Sequence, residues 1–199
     1  MMVQHPLAAG FPDPVHDAQR AFRRALDALS RPGRCVMLGA HIDGLSLGPA
    51  MSHLLLALTD DDTAVWWQKD ECGESDWLRF HTGARRAVHV NNANFAVLTD
   101  AGGAPGLATF AQGTAESPEQ SATLLIEVSS LDVGPCIEWR GPGIQTSQTV
   151  RVDGLATDFW TQWQHNHGAF PQGVDIIFTC ADLALGLPRT TRVRRLEGV

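Results

Sequence analysis

The stretch that most constrains the fold of this 199-residue chain is an almost wholly apolar run at residues 174–180. It is rich in β-branched side chains and carries a single carboxylate, Asp175, near its start. A short run of this kind, bounded by turn residues, is typical of a strand buried on both faces of a sheet. The preceding residues 170–173 have turn chemistry, because Pro171 fixes its φ angle and Gly173 allows backbone angles that other residues avoid. We therefore predict a doubly buried strand at residues 174–180.

A cluster of polar side chains follows the next apolar run, residues 183–187, which a proline ends. Arg189, Thr190 and Thr191 place a guanidinium and two hydroxyls where a strand gives way to a loop. Such a group is suited to binding an anion, because a guanidinium offers a planar fork of donors to phosphate or carboxylate oxygens. The alternative is structural: Arg189 bonds a carboxylate such as Asp175, and the two threonines complete backbone hydrogen bonds. Both interpretations are open from the sequence.

Composition narrows the class of protein. Apolar residues make up 44% of the chain and charged residues 19%, which is typical of a globular rather than a disordered protein. At this length we expect a single domain over residues 1–199, with residues 1–12 as a flexible arm. The net charge of −7 argues against nucleic acid as the main partner. No run approaches the ~18 apolar residues of a membrane helix, and the N-terminus lacks the pattern of a signal peptide.

The cysteines indicate a redox compartment. They are widely spaced and form no C-x-x-C pair: Cys35, Cys72, Cys136 and Cys180. We therefore expect reduced thiols in a cytoplasmic protein rather than a disulfide framework. A thiol enzyme that uses Cys180 with a histidine is a further class, although a free cysteine is more often a small core residue.

The basic residues limit the possible mechanisms, because fourteen are arginines and only one, Lys69, is a lysine. A Walker-type phosphate loop needs Gly-Lys-Ser or Gly-Lys-Thr, and neither tripeptide occurs. A Schiff base with pyridoxal phosphate would have to use Lys69, which lies in the polar stretch 68–71. That is an unsuitable place to desolvate an amine, so we expect no pyridoxal phosphate. We expect no other cofactor either.

Hydrophobic periodicity predicts helices that alternate with short strands, followed by a β-meander. Asp13 is a good N-cap for the first helix, and Pro32-Gly33 ends it. The further predicted elements are strand 34–38, helix 49–58, strand 64–67, helix 75–83, strand 95–99, the meander strands 122–131, 136–140 and 145–152, and a helix carrying Leu155, Phe159, Trp160 and Trp163. This order predicts an α/β domain with a mixed central sheet flanked by helices.

Two loops have the composition of ligand sites. The three carboxylates at residues 60–62 could hold Mg²⁺, which prefers oxygen ligands, but such a run is more often a solvated loop. The glycine-rich residues 100–106 could cradle phosphate on backbone N–H groups. They lack the G-x-G-x-x-G order, and Pro105 removes a donor, so a flexible connection is favoured.

Four further polar residues lie on predicted helices. Two residues apart on a helix, His165 and His167 diverge by about 200° and cannot chelate one metal, so we predict that both are solvated and expect no metal site. Arg79 is a second candidate for binding an anion. His81 follows it near the end of the same short helix, where the helix dipole favours a cation.

Short matching stretches along the chain resemble the PhnH family, the H subunits of the bacterial phosphonate carbon–phosphorus lyase system. The match is carried by the order of these stretches over some 175 residues, and residues 71–76 and 85–112 depart most from the pattern. The stretches are Asp17-Ala18-Gln19, Phe22-Arg23, Ser30, Pro32-Gly33, Asp60, Asp62-Thr63, Val65-Trp66, Leu78-Arg79-Phe80-His81-Thr82, Gly113-Thr114, Ala122-Thr123-Leu124, Gly141, Gly143-Ile144, Phe170-Pro171, Gly173, Asp175, Thr179-Cys180 and Pro188-Arg189-Thr190-Thr191.

The resemblance implies a fold similar to pyridoxal-phosphate-dependent transferases, in a family that has lost the cofactor. It also implies a subunit that works with partners of the G, I and J type. The implied reaction replaces the adenine of ATP with an alkylphosphonate, giving a ribose 1-phosphonate 5-triphosphate. The residues themselves reveal no activated nucleophile, metal cluster or paired carboxylates of obvious spacing.

The leading hypothesis is an accessory subunit that dimerises and presents surface to partner subunits. The candidate ligand-binding residues are Arg79, His81, Asp175, Arg189, Thr190 and Thr191, and the ligand would be a phosphonate or a nucleotide. The rival is a self-sufficient enzyme with a cavity built from Arg79, His81, Asp175 and Arg189. For the homodimer, which follows from the resemblance, the candidate surfaces are Trp66-Trp67 and the helix with Trp160 and Trp163, unless these side chains are core.

Overall fold

The computed structural model describes residues 7–70 and 73–196, and the predicted α/β class is confirmed. None of the described helices is long and apolar enough to cross a membrane. The helices and strands of this part are, in chain order, α1 (Pro14–Ser30), β1 (Val36–Met37), α2 (Pro49–Leu58), β2 (Ala64–Trp67), α3 (Glu74–Thr82), β3 (Arg85–Arg86), β4 (Phe95–Leu98), β5 (Thr123–Glu127), β6 (Cys136–Arg140), β7 (Gln148–Arg151), α4 (Phe159–Gly168), β8 (Asp175–Cys180), β9 (Leu183–Leu187) and β10 (Arg192–Arg195).

A seven-stranded mixed sheet forms the centre, with the order β1-β9-β8-β5-β4-β2-β3. The pairs β8–β5, β5–β4, β4–β2 and β2–β3 are parallel, whereas β8–β9 and β9–β1 are antiparallel. The predicted mixed sheet is therefore confirmed, and the strand predicted at residues 174–180 lies within it as β8.

Both faces of the central sheet are covered. On one face, Leu125 and Ile177 pack against α1, α2 and α3 in a core that includes Met51 and Trp77. On the other face, Leu124, Ile126, Ile176 and Phe178 pack against α4, whose fully buried Trp163 joins the same core. Because alternate side chains of β5 and β8 enter opposite cores, both strands are almost continuously apolar.

Capping residues and a close backbone approach determine where the helices begin and end and how α1 packs. The Asp13 carboxylate accepts from the His16 N–H at 3.1 Å, as predicted for an N-cap. Gly83 ends α3 in the left-handed region with φ 82°, which glycine adopts at little cost. Gly186 allows α1 to lie close on β9, because a Cβ there would come within 2.5 Å of the Ala28 carbonyl oxygen.

The predicted β-meander is wrong. β5 lies in the middle of the central sheet, whereas β6 and β7 belong to a second, antiparallel sheet with the order β10-β6-β7. The strand predicted over residues 122–131 ends at Glu127, and the following residues lead the chain into the small sheet. Sequence proximity suggested neighbouring strands, but β5 is buried on both faces and pairs with distant β4 and β8 instead.

The predicted N-terminal arm is only partly within the described residues, since residues 1–6 lie outside them. Ala8 and Ala9 do not extend freely, because their carbonyls accept hydrogen bonds from His81 Nε2 and Trp77 Nε1, each at 3.1 Å. The arm is therefore held against α3 at this point.

Two of the four tryptophans suggested as dimer surface are core. Trp67 and Trp163 are buried, whereas Trp66 and Trp160 are half-buried at the edge of the core. Trp66 packs edge-on against Phe110. These tryptophans therefore contribute mainly to packing within the chain.

Candidate functional site

The contact between Asp175 and Arg189 follows from the pairing of β8 with β9. Asp175 is the first residue of β8, and the antiparallel register sets Ile176 opposite Leu187, the last residue of β9. The chain turns immediately after Leu187, which returns Arg189 to the start of β8. The backbone N–H of Arg189 donates to Asp175 Oδ1 at 2.7 Å.

Every N–H of the Arg189 guanidinium has an acceptor within the protein. Its Nε donates to both carboxylate oxygens of Asp175 at 3.2 Å, and Nη2 donates to Asp175 and to Ser121 Oγ. Nη1 donates to the carbonyls of Pro118 and Pro171 at 3.0 and 3.2 Å. These contacts use the five donors of a guanidinium, and only 13% of the Arg189 and 24% of the Asp175 side chain is exposed. The geometry supports the structural interpretation, and an additional anion contact at Arg189 stays a prediction.

The two threonines after Arg189 differ in environment. Thr191 is buried; its N–H donates to the Pro188 carbonyl at 2.8 Å, and its own carbonyl accepts from Trp163 Nε1 at 2.9 Å. Its hydroxyl oxygen has no hydrogen-bond partner among the described residues. Thr190 is half-buried and lines an open groove. Thr191 therefore completes the turn, and Thr190 is the more accessible of the two.

The prediction that both histidines of α4 are solvated is wrong for His167. His165 is exposed, but His167 is half-buried and bonded through both ring nitrogens. His167 Nδ1 lies 2.8 Å from the Arg189 carbonyl oxygen, and Arg192 Nε donates to His167 Nε2 at 3.3 Å. Helical spacing tested only whether the two histidines could share a metal. It gave no information about the turn after β9, which packs against the end of α4.

Arg79 and His81 lie apart from this cluster, on α3. The exposed Arg79 side chain lies 3.5 Å from the Asp76 carboxylate. His81 bonds the Ala8 carbonyl and packs edge-on against Trp77. The cavity lined by Asp175 and Arg189 contains neither residue. The structure thus joins two of the four residues proposed for one cavity and keeps the other two separate.

The acidic loop is organised by its own hydrogen bonds. Asp60 Oδ1 accepts from the Asp62 N–H at 3.2 Å and from Thr63 Oγ1 at 2.6 Å, as in a turn. Over residues 7–70 and 73–196, no three His, Cys, Asp or Glu side chains come together as a potential metal site.

In the glycine-rich loop, the side chain of Asp100 already accepts from one of the backbone donors. Asp100 Oδ1 accepts from the Gly103 N–H at 3.1 Å, which caps the short 3₁₀ helix Ala101–Gly103. Asp100 also lies 3.5 Å from Lys69 Nζ. A phosphate would have to compete with this carboxylate for the Gly103 donor.

The carboxyl ends of β5 and β8 carry two groups with shifted pKa values. Burial, and then the charges of Glu127, Asp132 and Asp182, raise the pKa of the Cys180 thiol. A raised pKa disfavours the thiolate that a nucleophilic cysteine requires. Burial also raises the pKa of Glu127, against a smaller opposing effect of a hydrogen bond from the Gly48 backbone.

Glu127 leads to a prediction about pH. Because its folded pKa is raised, the stability it contributes is present below the unfolded pKa and is lost as the pH rises through the folded pKa. Glu127→Gln keeps an oxygen for the Gly48 N–H but cannot ionise. We expect this variant to unfold at a higher temperature than the wild type at neutral pH, and at the same temperature in acid below the usual carboxyl pKa. Thermal unfolding measured from acid to neutral pH checks this expectation. A variant less stable than the wild type at neutral pH would contradict it.

A groove of about 700 Å³ lies beside the Arg189 cluster, where the small sheet meets the end of α4. Its lining combines cationic, hydroxyl and apolar groups from three parts of the chain: Arg140, Gly141, Pro142, His167, Gly168, Phe170, Thr190 and Arg192. Sequence reasoning singled out only Thr190 among them as a site residue. The available signal was the repeated arginine at residues 192, 194 and 195, which alternation could have indicated as a strand.

Comparison with known proteins gives a consistent result. Residues 9–194 match the family model described as bacterial phosphonate metabolism protein (PhnH). The α-D-ribose 1-methylphosphonate 5-triphosphate synthase subunit PhnH of Rhizobium meliloti (strain 1021) is 36% identical over 199 residues, covering 98% of this chain and 100% of that protein. A Stutzerimonas stutzeri protein provisionally named C-P lyase subunit protein HtxG is 39% identical over 177 residues, covering 88% and 85% of the two chains. The chain belongs to the PhnH family of bacterial phosphonate metabolism proteins.

Proposed function

We propose that this chain is a subunit of a carbon–phosphorus lyase complex in organic phosphonate catabolism. The reaction of that complex would be the one implied by the resemblance, transfer of an alkylphosphonate to the ribose of ATP with release of adenine. The observation that carries the proposal is the match to the synthase subunit of Rhizobium meliloti, which extends over the whole of that protein.

Within the complex the chain would act as an accessory or scaffold subunit for partners of the G, I and J type. The groups with the most catalytic potential have other roles or unsuitable properties. The Arg189 donors are used inside the protein, and burial disfavours the Cys180 thiolate. An accessory role is consistent with these engaged groups.

The proposal includes one PhnH-like domain similar to pyridoxal-phosphate-dependent transferases but without the cofactor. The mixed sheet flanked by helices is compatible with such a fold. Lys69, the single lysine of the chain, has half of its side chain exposed and lies beside Asp100. A Schiff base requires a neutral amine, which this exposed and paired ammonium does not favour.

We also propose a homodimer in the cytoplasm. Val15, Phe22 and Leu26 are exposed on α1, and their spacing sets them along one side of the helix. An exposed apolar stripe of this kind is compatible with a contact between protein chains. Cys35, Cys136 and Cys180 are free thiols, which supports a reducing compartment.

Reconstitution from purified subunits tests the proposal. We expect light scattering at micromolar concentration to report a dimer of the isolated chain, and the chain to co-elute with the G, I and J subunits. ATP and methylphosphonate should be consumed by the complete mixture and not by this chain alone. Full activity of a mixture without this chain would contradict its role. Turnover by the isolated chain would favour the self-sufficient enzyme.

A further inference from the structure

The outer face of the small sheet sets two arginines directly opposite each other. The antiparallel register of β6 and β10 pairs Arg140 with Arg192, so both side chains project from the same face. Ile137 and Trp139 are buried on the inner face, which leaves residues 138 and 140 outward. Like charges in directly opposed positions are destabilising. An anion bound on this face would therefore relieve the repulsion between Arg140 and Arg192.

The carboxylate on this face cannot balance its arginines. Glu138 accepts from Arg140 Nη2 at 2.9 Å through one oxygen and from Arg194 Nε at 3.1 Å through the other. No described carboxylate forms an ion pair with Arg192. Three guanidiniums against one carboxylate leave a charge of +2 in a chain whose net charge is −7.

His167 holds Arg192 at the groove. A carbonyl oxygen only accepts, so His167 Nδ1 carries the hydrogen that is donated to Arg189, and Nε2 accepts from Arg192 Nε. This hydrogen-bonding pattern requires the ring hydrogen on Nδ1 and an acceptor lone pair on Nε2. Among the described residues the Arg192 guanidinium donates only through Nε, which leaves its Nη donors for a bidentate contact with a ligand.

The groove also offers a hydroxyl and an apolar surface. Thr190 lines the groove together with Arg192, and the largely exposed Phe170 and Pro142 belong to the same lining. The volume of about 700 Å³ is within the range of small-molecule sites. A lining that combines guanidiniums, a hydroxyl and an aromatic ring suits a small molecule that carries a phosphate-type anion.

We propose that this groove binds small molecules that carry linked phosphate or phosphonate groups, with Arg140 and Arg192 as the anion contacts. His167 is a positioning residue for Arg192, and Thr190 supplies a hydroxyl. Two guanidiniums from neighbouring strands favour an oligoanion over a single charge. The site is a property of this chain and does not depend on assembly with other subunits.

Calorimetric titration of the isolated chain with inorganic tripolyphosphate tests the proposal. We expect Arg192→Ala to weaken binding about tenfold or more, the loss expected for one charge-assisted hydrogen bond. Arg192→Lys should lose part of the affinity, because an ammonium keeps the charge but not the fork. Removing one of two opposed arginines should leave the melting temperature equal to or above that of the wild type.

The matched control is Arg24→Ala, which removes the same charge from an exposed position on α1. Its tripolyphosphate affinity should equal that of the wild type. Equal losses in Arg24→Ala and Arg192→Ala would overturn the site, because they would reflect net charge alone. Absence of tripolyphosphate binding to the wild-type chain would also overturn it, and loss of subunit assembly in Arg192→Ala would then assign this face to an acidic protein partner.

Comparison of ATP with tripolyphosphate distinguishes the source of the anion. Tighter binding of ATP, with the surplus lost in Phe170→Ala, would assign the groove to a nucleotide whose base stacks on the ring. Equal affinities would assign it to the oligophosphate group alone. Because no other subunit is present, failure of this experiment would leave the proposed membership of the complex untouched.

Discussion

Replacing Arg189 with methionine is expected to lower the free energy of unfolding by about 3–5 kcal/mol, because Asp175 is then left largely buried without its positive partner. The carbonyls of Pro118 and Pro171 also lose their donor. These contacts tie the start of β8, the turn after β9 and two loops to one side chain. Urea unfolding at a fixed protein concentration measures the effect.

Two further variants identify the cause of that loss. Arg79→Ala removes an exposed arginine with a 3.5 Å carboxylate neighbour, so it should change the free energy of unfolding by less than about 1 kcal/mol. Combining Arg189→Met with Asp175→Leu removes the stranded charge and should recover part of the stability. A loss at Arg189 no larger than that at Arg79 would contradict the buried pair.

Arg189→Lys separates the structural interpretation from the anion site first suggested by the sequence. An ammonium has three donors and cannot satisfy five acceptor contacts, so the melting temperature should fall. If anion binding is unchanged in the folded variant, the ligand does not require the Arg189 fork. Loss of anion binding with little loss of stability would instead support the site at Arg189.

Local sequence signals predicted the elements whose structure is decided locally. The apolar β-branched run of β8 and the capped, amphipathic α1 were identified because their periodicity reflects burial directly. β10 was missed because Arg192 to Arg195 contains one apolar residue. Its pairing with β6 depends on a partner more than 50 residues earlier in the chain.

The candidate site was predictable only as far as side-chain chemistry allowed. The sequence offered Arg189 both as an anion ligand and as a partner of Asp175, and the register of β8 on β9 favours the second interpretation. It could not bring His167 to the turn after β9, because that contact depends on how α4 packs. The opposed Arg140 and Arg192 were likewise invisible without the strand register.

The packing of α4 gives the second large expected effect. Trp163 is fully buried in the core between α4 and the sheets, and its Nε1 donates to the Thr191 carbonyl at 2.9 Å. Trp163→Ala should lower the free energy of unfolding by about 3–5 kcal/mol, from lost burial and the cavity that remains. Urea unfolding at the same fixed protein concentration measures this effect, and a loss below about 1.5 kcal/mol would contradict it.

Trp163→Phe separates the hydrogen bond from the packing. The ring retains most of the apolar contact, but the buried Thr191 carbonyl loses its donor, so we expect a loss of about 1–3 kcal/mol. Trp160→Ala on the same helix is the matched control, because Trp160 is only half-buried and its removal should cost less stability than Trp163→Ala.

Thr191 directly precedes Arg192, so loosening the contact between Trp163 and Thr191 in Trp163→Phe should also weaken tripolyphosphate binding. Unchanged affinity in that variant would mean that Arg192 is held by His167 and β6 alone.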